Sequence, residues 1–306
     1  MVHGATAARP GAAPRPRATT AGRPTPRPRG FTLLELVVGL VLLGLLAAAL
    51  VVFLKPALDG FLGSRQRSQL LGEADQALRR MVRDVQAAVP NSIRSPSSSC
   101  FELVPTSSGG RLRLGPDTVA GGSAWVDTSS STSSFDVLHG LARVPAVGDW
   151  VVVDNQNPGD VYAGTNRSAI TGVSTPAAAL GQHRLTISPL QFPPGYDSGR
   201  FVVVPDAQQA VFYVCSGAST TLDAQGNAPG TLVRLKRYGF NTATPTSCPA
   251  PAGGDLLATH VRSCRFLYDP NQGATQQSGY LSIQLELTRA NETVSLVVGA
   301  HVVNVP

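Results

Sequence analysis

Beyond its first thirty residues the chain has no excess charge. Its 25 lysines and arginines outnumber its 19 aspartates and glutamates. Six of those arginines (Arg9, Arg15, Arg17, Arg23, Arg27, Arg29) lie in residues 1–30, which hold no acid. Removing them leaves 19 basic against 19 acidic residues for 31–306. A nucleic-acid surface needs clustered positive charge, and none remains. Aromatics are scarce as well, at 6%, so the stacking platforms that hold single strands are missing. Nucleic acid is therefore not an expected partner. No GxSxG, HExxH, P-loop or GxGxxG signature occurs, and the five histidines (His3, His139, His183, His260, His301) are scattered. These absences argue against an enzyme and give no cofactor to expect. No two of the four cysteines have CxxC spacing, which argues against zinc. No other metal site is expected, although Asp154-Asn155-Gln156-Asn157-Pro158-Gly159-Asp160 offers oxygen ligands of the kind calcium takes. That segment lacks the EF-hand pattern, and its residue types are those of an ordinary turn.

What is present is concentrated near the start. Residues 1–30 are rich in Pro, Arg, Ala and Thr and cannot build a core. From Phe31 to Leu54 the sequence is apolar for 24 residues, with one charged residue, Glu35. A helix of that length covers roughly 36 Å, enough to cross a hydrocarbon layer about 30 Å thick. The arginines before it place the N-terminus on the cytoplasmic side. A carboxylate at mid-bilayer costs roughly 2.5–3.5 kcal/mol on insertion scales, so Glu35 requires a function.

Residues 55–89 continue at helical spacing. Ala74, Leu78, Met81, Val82, Val85 and Val89 form one apolar stripe, with charged residues, Asp84 among them, on the rest of the surface. Pro56 is expected to kink the helix and Pro90 to end it. A continuous helix over 31–89 would reach roughly 90 Å. From residue 90 to 306 the pattern changes to short β-branched or alternating runs: 101–104, 111–114, 150–153, 184–187, 201–204, 210–214, 231–238, 261–268, 280–288 and 293–303. Ala290-Asn291 reads as a hairpin turn, Gly159, Gly164 and Gly195 as turns, and 118–134 as a long loop. The fold class expected is α+β: a long N-terminal helix packed on a mainly antiparallel sheet domain.

Cys100, Cys215, Cys248 and Cys264 all follow the apolar segment, which suits disulfides in an exported region. Three connectivities are open. The expected one joins Cys215 to Cys248, stapling the Gly226 loop and the Pro245 segment, and Cys100 to Cys264.

The string Gly30-Phe31-Thr32-Leu33-Leu34-Glu35 before an apolar helix resembles the prepilin N-terminal motif of type IV pilins and type II secretion pseudopilins. The resemblance implies cleavage after Gly30 by a membrane-embedded prepilin peptidase and methyltransferase, and N-methylation of the new amine of Phe31. It implies an assembly role for Glu35, pairing with that amine on a neighbouring subunit. It also implies a type IV pilin-like fold and a single-pass bacterial inner-membrane protein with a periplasmic globular domain. The implied partners are other pilins or pseudopilins, met through the N-terminal helix, and an inner-membrane assembly platform. Further resemblance lies in Val147-Gly148-Asp149-Trp150-Val151-Val152-Val153, Tyr162, Asn166-Arg167, Tyr213-Val214-Cys215, Cys264-Arg265-Phe266-Leu267-Tyr268 and His301-Val302-Val303-Asn304-Val305-Pro306. These segments are similar to the O-type minor pilin-like proteins of mannose-sensitive haemagglutinin pilus biogenesis and, next, to the J-type minor pseudopilins of type II secretion. That likeness implies a minor subunit that initiates or caps a filament, or else a binding module displayed at its tip.

Overall fold

The computed structural model describes residues 30–194, 198–270 and 278–303. The basic segment before Gly30, the Gly195 turn and the last three residues lie outside them. Helix α1 runs from Leu33 to Gln86. The strands are β1 (Arg94–Ser97), β2 (Cys100–Leu103), β3 (Ser108–Arg111), β4 (Thr132–Val137), β5 (Trp150–Val153), β6 (Arg167–Ser174), β7 (His183–Leu190), β8 (Arg200–Val204), β9 (Val211–Ser216), β10 (Gly230–Lys236), β11 (Asp255–Asp269), β12 (Ser278–Arg289) and β13 (Glu292–Val303). A one-turn helix, α2 (Asp160–Ala163), separates β5 from β6.

The chain divides into two compact units, residues 1–58 and 59–306. In the first, the apolar part of α1 exposes its side chains throughout, from Leu33 at 82% to Leu54 at 48%. It is the one helix among the described residues long and apolar enough to cross a membrane. Pro56, expected to kink the helix, lies inside α1 without interrupting it.

In the second unit α1 lays one face on a seven-stranded antiparallel sheet, ordered β1-β2-β9-β10-β11-β12-β13. Leu70, Ala74, Leu78, Met81 and Val85 are buried there against Phe101, Tyr213, Phe266 and Leu285. Each large apolar side chain so covered contributes about 1.5–3 kcal/mol. The helix stops three residues before the expected end. Val89 instead donates to the Val104 carbonyl at 2.8 Å, and Ala88 bridges Pro105. The chain thus enters the sheet before Pro90 is reached.

Between β2 and β9 a second β structure is inserted, ordered β3-β8-β5-β6-β7-β4. Its two ends meet: Leu112 bridges Val137, Arg113 N–H donates to Asp136 O, and Leu138 N–H donates to Arg111 O. The six strands therefore close into a barrel, the arrangement that removes sheet edges. It has its own core of Phe135, Val151, Ile170, Leu185, Ile187 and Phe201. The sequence pattern misses β1, β4 and β6. It also places a loop over 118–134, where β4 begins at Thr132, and a strand over 111–114, where β3 has already ended at Arg111.

The disulfides correct the expected pairing. The structure joins Cys100 to Cys248 and Cys215 to Cys264, with Cα separations of 5.7 and 6.4 Å. Strand parity is the reason. Along β9, Val211, Tyr213 and Cys215 face the helix-side core, while Phe212 and Val214 face the opposite side with Cys100 and Cys248. A side chain on one face of a sheet cannot reach a partner on the other. Cys264 packs on the helix side and is therefore the partner of Cys215.

Candidate functional site

The helix start is built by Thr32 and Glu35. The Thr32 hydroxyl accepts the Glu35 amide at 3.2 Å, and the Glu35 carboxylate accepts the Thr32 amide at 3.1 Å and its hydroxyl at 3.2 Å. This reciprocal arrangement is a capping box, which satisfies N–H groups a helix end otherwise leaves orphaned. A carboxylate here also meets the positive end of the helix dipole. The Thr-x-x-Glu spacing carries that signal in the sequence, and it was not read there. Phe31 precedes the cap at 85% exposure, and Gly30 is in irregular backbone with open space around its Cα. The bond between Gly30 and Phe31 thus sits outside the helix, on uncrowded chain.

The segment from Asp149 to Arg167 forms a joint. Asn155 donates to the carbonyls of Pro90 (2.8 Å) and Asn157 (3.1 Å), and its own carbonyl accepts Val161 N–H and Asn166 Nδ2. Tyr162, fully buried, donates to the Ser92 carbonyl at 2.8 Å. The guanidinium of Arg94 lies 3.4 Å over its ring. Arg167 is stacked against Phe240 at 3.6 Å and Trp150 at 4.5 Å and donates to the Val161 carbonyl. Burial without a facing carboxylate lowers its pKa to about 10. The Asp154–Asp160 loop, whose oxygens suit calcium, is hydrogen-bonded to itself and its surroundings. Asp154 accepts from Ser198, and Asp160 accepts the backbone and side-chain N–H of Asn157. Among the described residues no group of three or more His, Cys, Asp or Glu is placed to hold a metal ion.

Two charged clusters fix the sheet to its coverings. Asp84, expected on the solvated helix face, is buried; it accepts Arg234 at 2.8 Å and the Tyr213 hydroxyl at 2.7 Å. Nothing in the helical pattern marks it, because Arg234 lies 150 residues away. On the other face Glu102 takes Arg94 and the Tyr238 hydroxyl (2.7 Å). Desolvation raises its pKa above the usual carboxylate value, against the opposing pull of Tyr238 and Arg94. Arg94 also holds the carbonyls of Asn241 and Ala243, and Cys248 is tied to Cys100. The 239–254 loop is thereby pinned over a cleft of about 630 Å³ floored by Phe212 and Leu235. His139 is exposed, His183 begins β7, and His260 and His301 lie in β11 and β13.

A long apolar N-terminal helix followed by an antiparallel sheet domain is a type IV pilin-like α+β architecture. Residues 26–51 match the family described as the prokaryotic N-terminal methylation motif. This motif, which spans Gly30, Phe31 and Glu35, supports a pilin- or pseudopilin-like structural subunit with a membrane-anchoring helix. No curated protein and no solved structure matches the chain.

Proposed function

We propose that this chain is a minor pilin that helps to initiate a type IV filament of the mannose-sensitive haemagglutinin kind. Prepilin peptidase cuts after Gly30, and the amine of Phe31 is methylated. The segment 31–54 then holds the protein in the bacterial inner membrane, N-terminus cytoplasmic and globular part periplasmic. The observation that carries this reading is the motif of residues 26–51 at the head of a wholly exposed apolar helix. Glu35 gives the motif its assembly chemistry. In one chain its carboxylate is held by Thr32. In a bundle of subunits the amine of a neighbour's Phe31 supplies an opposite charge, which offsets much of the cost of burying the carboxylate. The pairing favours one axial register between helices.

The test is Glu35→Ala in cells. The variant should be cut and methylated normally yet be missing from sheared filaments. Normal incorporation would refute the assembly role. Replacing Gly30 with a bulky residue should leave only the precursor-sized band.

The inserted barrel favours a second reading, a binding module displayed at the filament tip. It forms a separate closed core beyond the helix-and-sheet unit. Deleting the gene separates the two: loss of all filaments supports initiation, and intact filaments that fail to attach support display.

A further inference from the structure

Among the described residues the outer edges of the β structure are protected with one exception. The barrel is closed on itself. At one end of the main sheet, β1 is four residues long and is overlain by the 241–248 segment, through Arg94 and the Cys248 sulfur beside Ser97. At the other end β13 is twelve residues long and pairs only with β12 among the described residues. Long, uncharged, apolar edges recruit other strands, and proteins ordinarily blunt them with lysine, proline or a bulge. The stretch from Thr293 to Val303 has none of these.

The register shows which groups are free. Ala290 and Asn291 both have positive φ, 47° and 64°, the signature of a type I′ hairpin turn. Arg289 and Glu292 are then a hydrogen-bonded pair, and the ladder alternates from there. Even-numbered residues of β13 turn their N–H and C=O toward β12. Thr293, Ser295, Val297, Gly299 and His301 turn theirs outward. Beside this edge the core is unfinished. Leu296 and Val298 are only partly buried, and with Leu78 and Val82 of α1 they line a groove of about 650 Å³. Arg79 and Arg83 border it. Arg79 is paired with Asp75 on its own helix. Arg83 donates to a backbone carbonyl and meets no carboxylate among the described residues.

We propose that β13 is a docking edge for an extended strand of a different, neighbouring chain. That strand adds to the sheet through the outward main-chain groups. Its alternate apolar side chains fill the groove, and a carboxylate on it meets Arg83. A second copy of this chain is a poor occupant. Its β1 edge is covered, so it could offer only its own β13. That strand carries no acid between Thr293 and Val303, so it brings no carboxylate to Arg83.

The inference does not rest on the filament reading and is tested on the full chain in detergent micelles. The probe is a fluorescent peptide of about ten residues, alternating Val and Thr and ending in two Glu, read by anisotropy. Binding should be abolished by Val297→Pro, which deletes an outward donor and leaves the β12 ladder intact. Val297→Lys, which retains the donor and adds an edge charge, should also abolish it, with an unchanged melting curve. Arg83→Glu should weaken binding about fivefold. A peptide N-methylated at alternate residues should not bind. Binding as tight as that of the unaltered chain by either the proline or the lysine variant, or undiminished binding of the N-methylated peptide, overturns the proposal. So does an absence of binding. A Val297→Cys variant that crosslinks to itself in the same micelles assigns the edge to a second copy and overturns it too.

Discussion

Replacing Asp84 with alanine should destabilise the soluble unit more than any change on the exposed helix face. Arg234 is 2% exposed and is the largest fully buried side chain among the described residues. Its guanidinium reaches Asp84 at 2.7 and 2.8 Å and Gln208 at 2.6 Å. Tyr213, also buried, gives its hydroxyl proton to the same carboxylate. Removing Asp84 therefore leaves a buried cation without its counter-charge and a buried donor without its acceptor. Breaking such a pair costs about 3–5 kcal/mol. For a unit of this size each kcal/mol lowers Tm by about 2–4 °C, so a fall of about 6–20 °C is expected. The measurement is thermal unfolding of the full chain in detergent, followed by circular dichroism. The triple variant Asp84→Leu, Tyr213→Phe, Arg234→Met should recover most of the loss, since an apolar set of similar volume removes the desolvation cost altogether. A loss below about 1 kcal/mol for Asp84→Ala would refute this account of how α1 is held. So would a triple variant no more stable than the single one.

Opening the Cys100–Cys248 disulfide by Cys248→Ser should cost about 2–5 kcal/mol and raise protease cutting within 239–254, while the helix-side disulfide stays intact on a non-reducing gel. Glu102→Gln should change how stability depends on pH. The folded pKa of Glu102 is raised, so its contribution is fullest below the ordinary carboxylate range and is lost as pH rises through the folded value. Urea midpoints between pH 4 and 7 should lose that component in the variant. Asp223 has the opposite sign: backbone N–H groups of its turn lower its pKa, so its contribution is lost as pH falls, and Asp223→Asn should flatten the acid limb of the same curve. Asn155→Ala should loosen the joint between the barrel and the Pro90 segment, seen as faster hydrogen exchange in 155–163 with little change in the seven-stranded sheet.

Local signals were legible where one element explains its own residues. The exposed apolar helix needs only its own length and composition. The alternating strands at the C-terminus need only period two, and Ala290-Asn291 turns them where the sequence places the turn. Signals were illegible where the explanation lies across the fold. Arg94–Ser97 and Thr132–Val137 are strands because of what they pair with, and both are rich in serine and threonine rather than large apolar residues. Asp84 reads as solvated until Arg234 is brought beneath it. The disulfides belong to the second kind. Cys100 lies on the face of Phe212 and Val214 because β2 pairs it opposite Val214, a register that only the fold supplies.

The same distinction applies to the two kinds of family likeness. Gly30, Phe31 and Glu35 need no distant partner. The chemistry proposed for them, a cleavable bond, a new amine and an acid within one helical turn, is expressed in full by a short stretch of sequence. The sequence expectation of likeness to particular minor subunits rests partly on the segment around Asp149–Arg167, yet its side chains are used internally: Asn155 on Pro90, Tyr162 on Ser92, Arg167 on Phe240. Residues so placed specify how a barrel is joined to a sheet. They fix the architecture of this chain and leave recognition to the surfaces that the joint positions. Specificity for a filament system is therefore to be sought on the outer barrel loops and on the open β13 edge, where backbone and side chains still lack partners among the described residues.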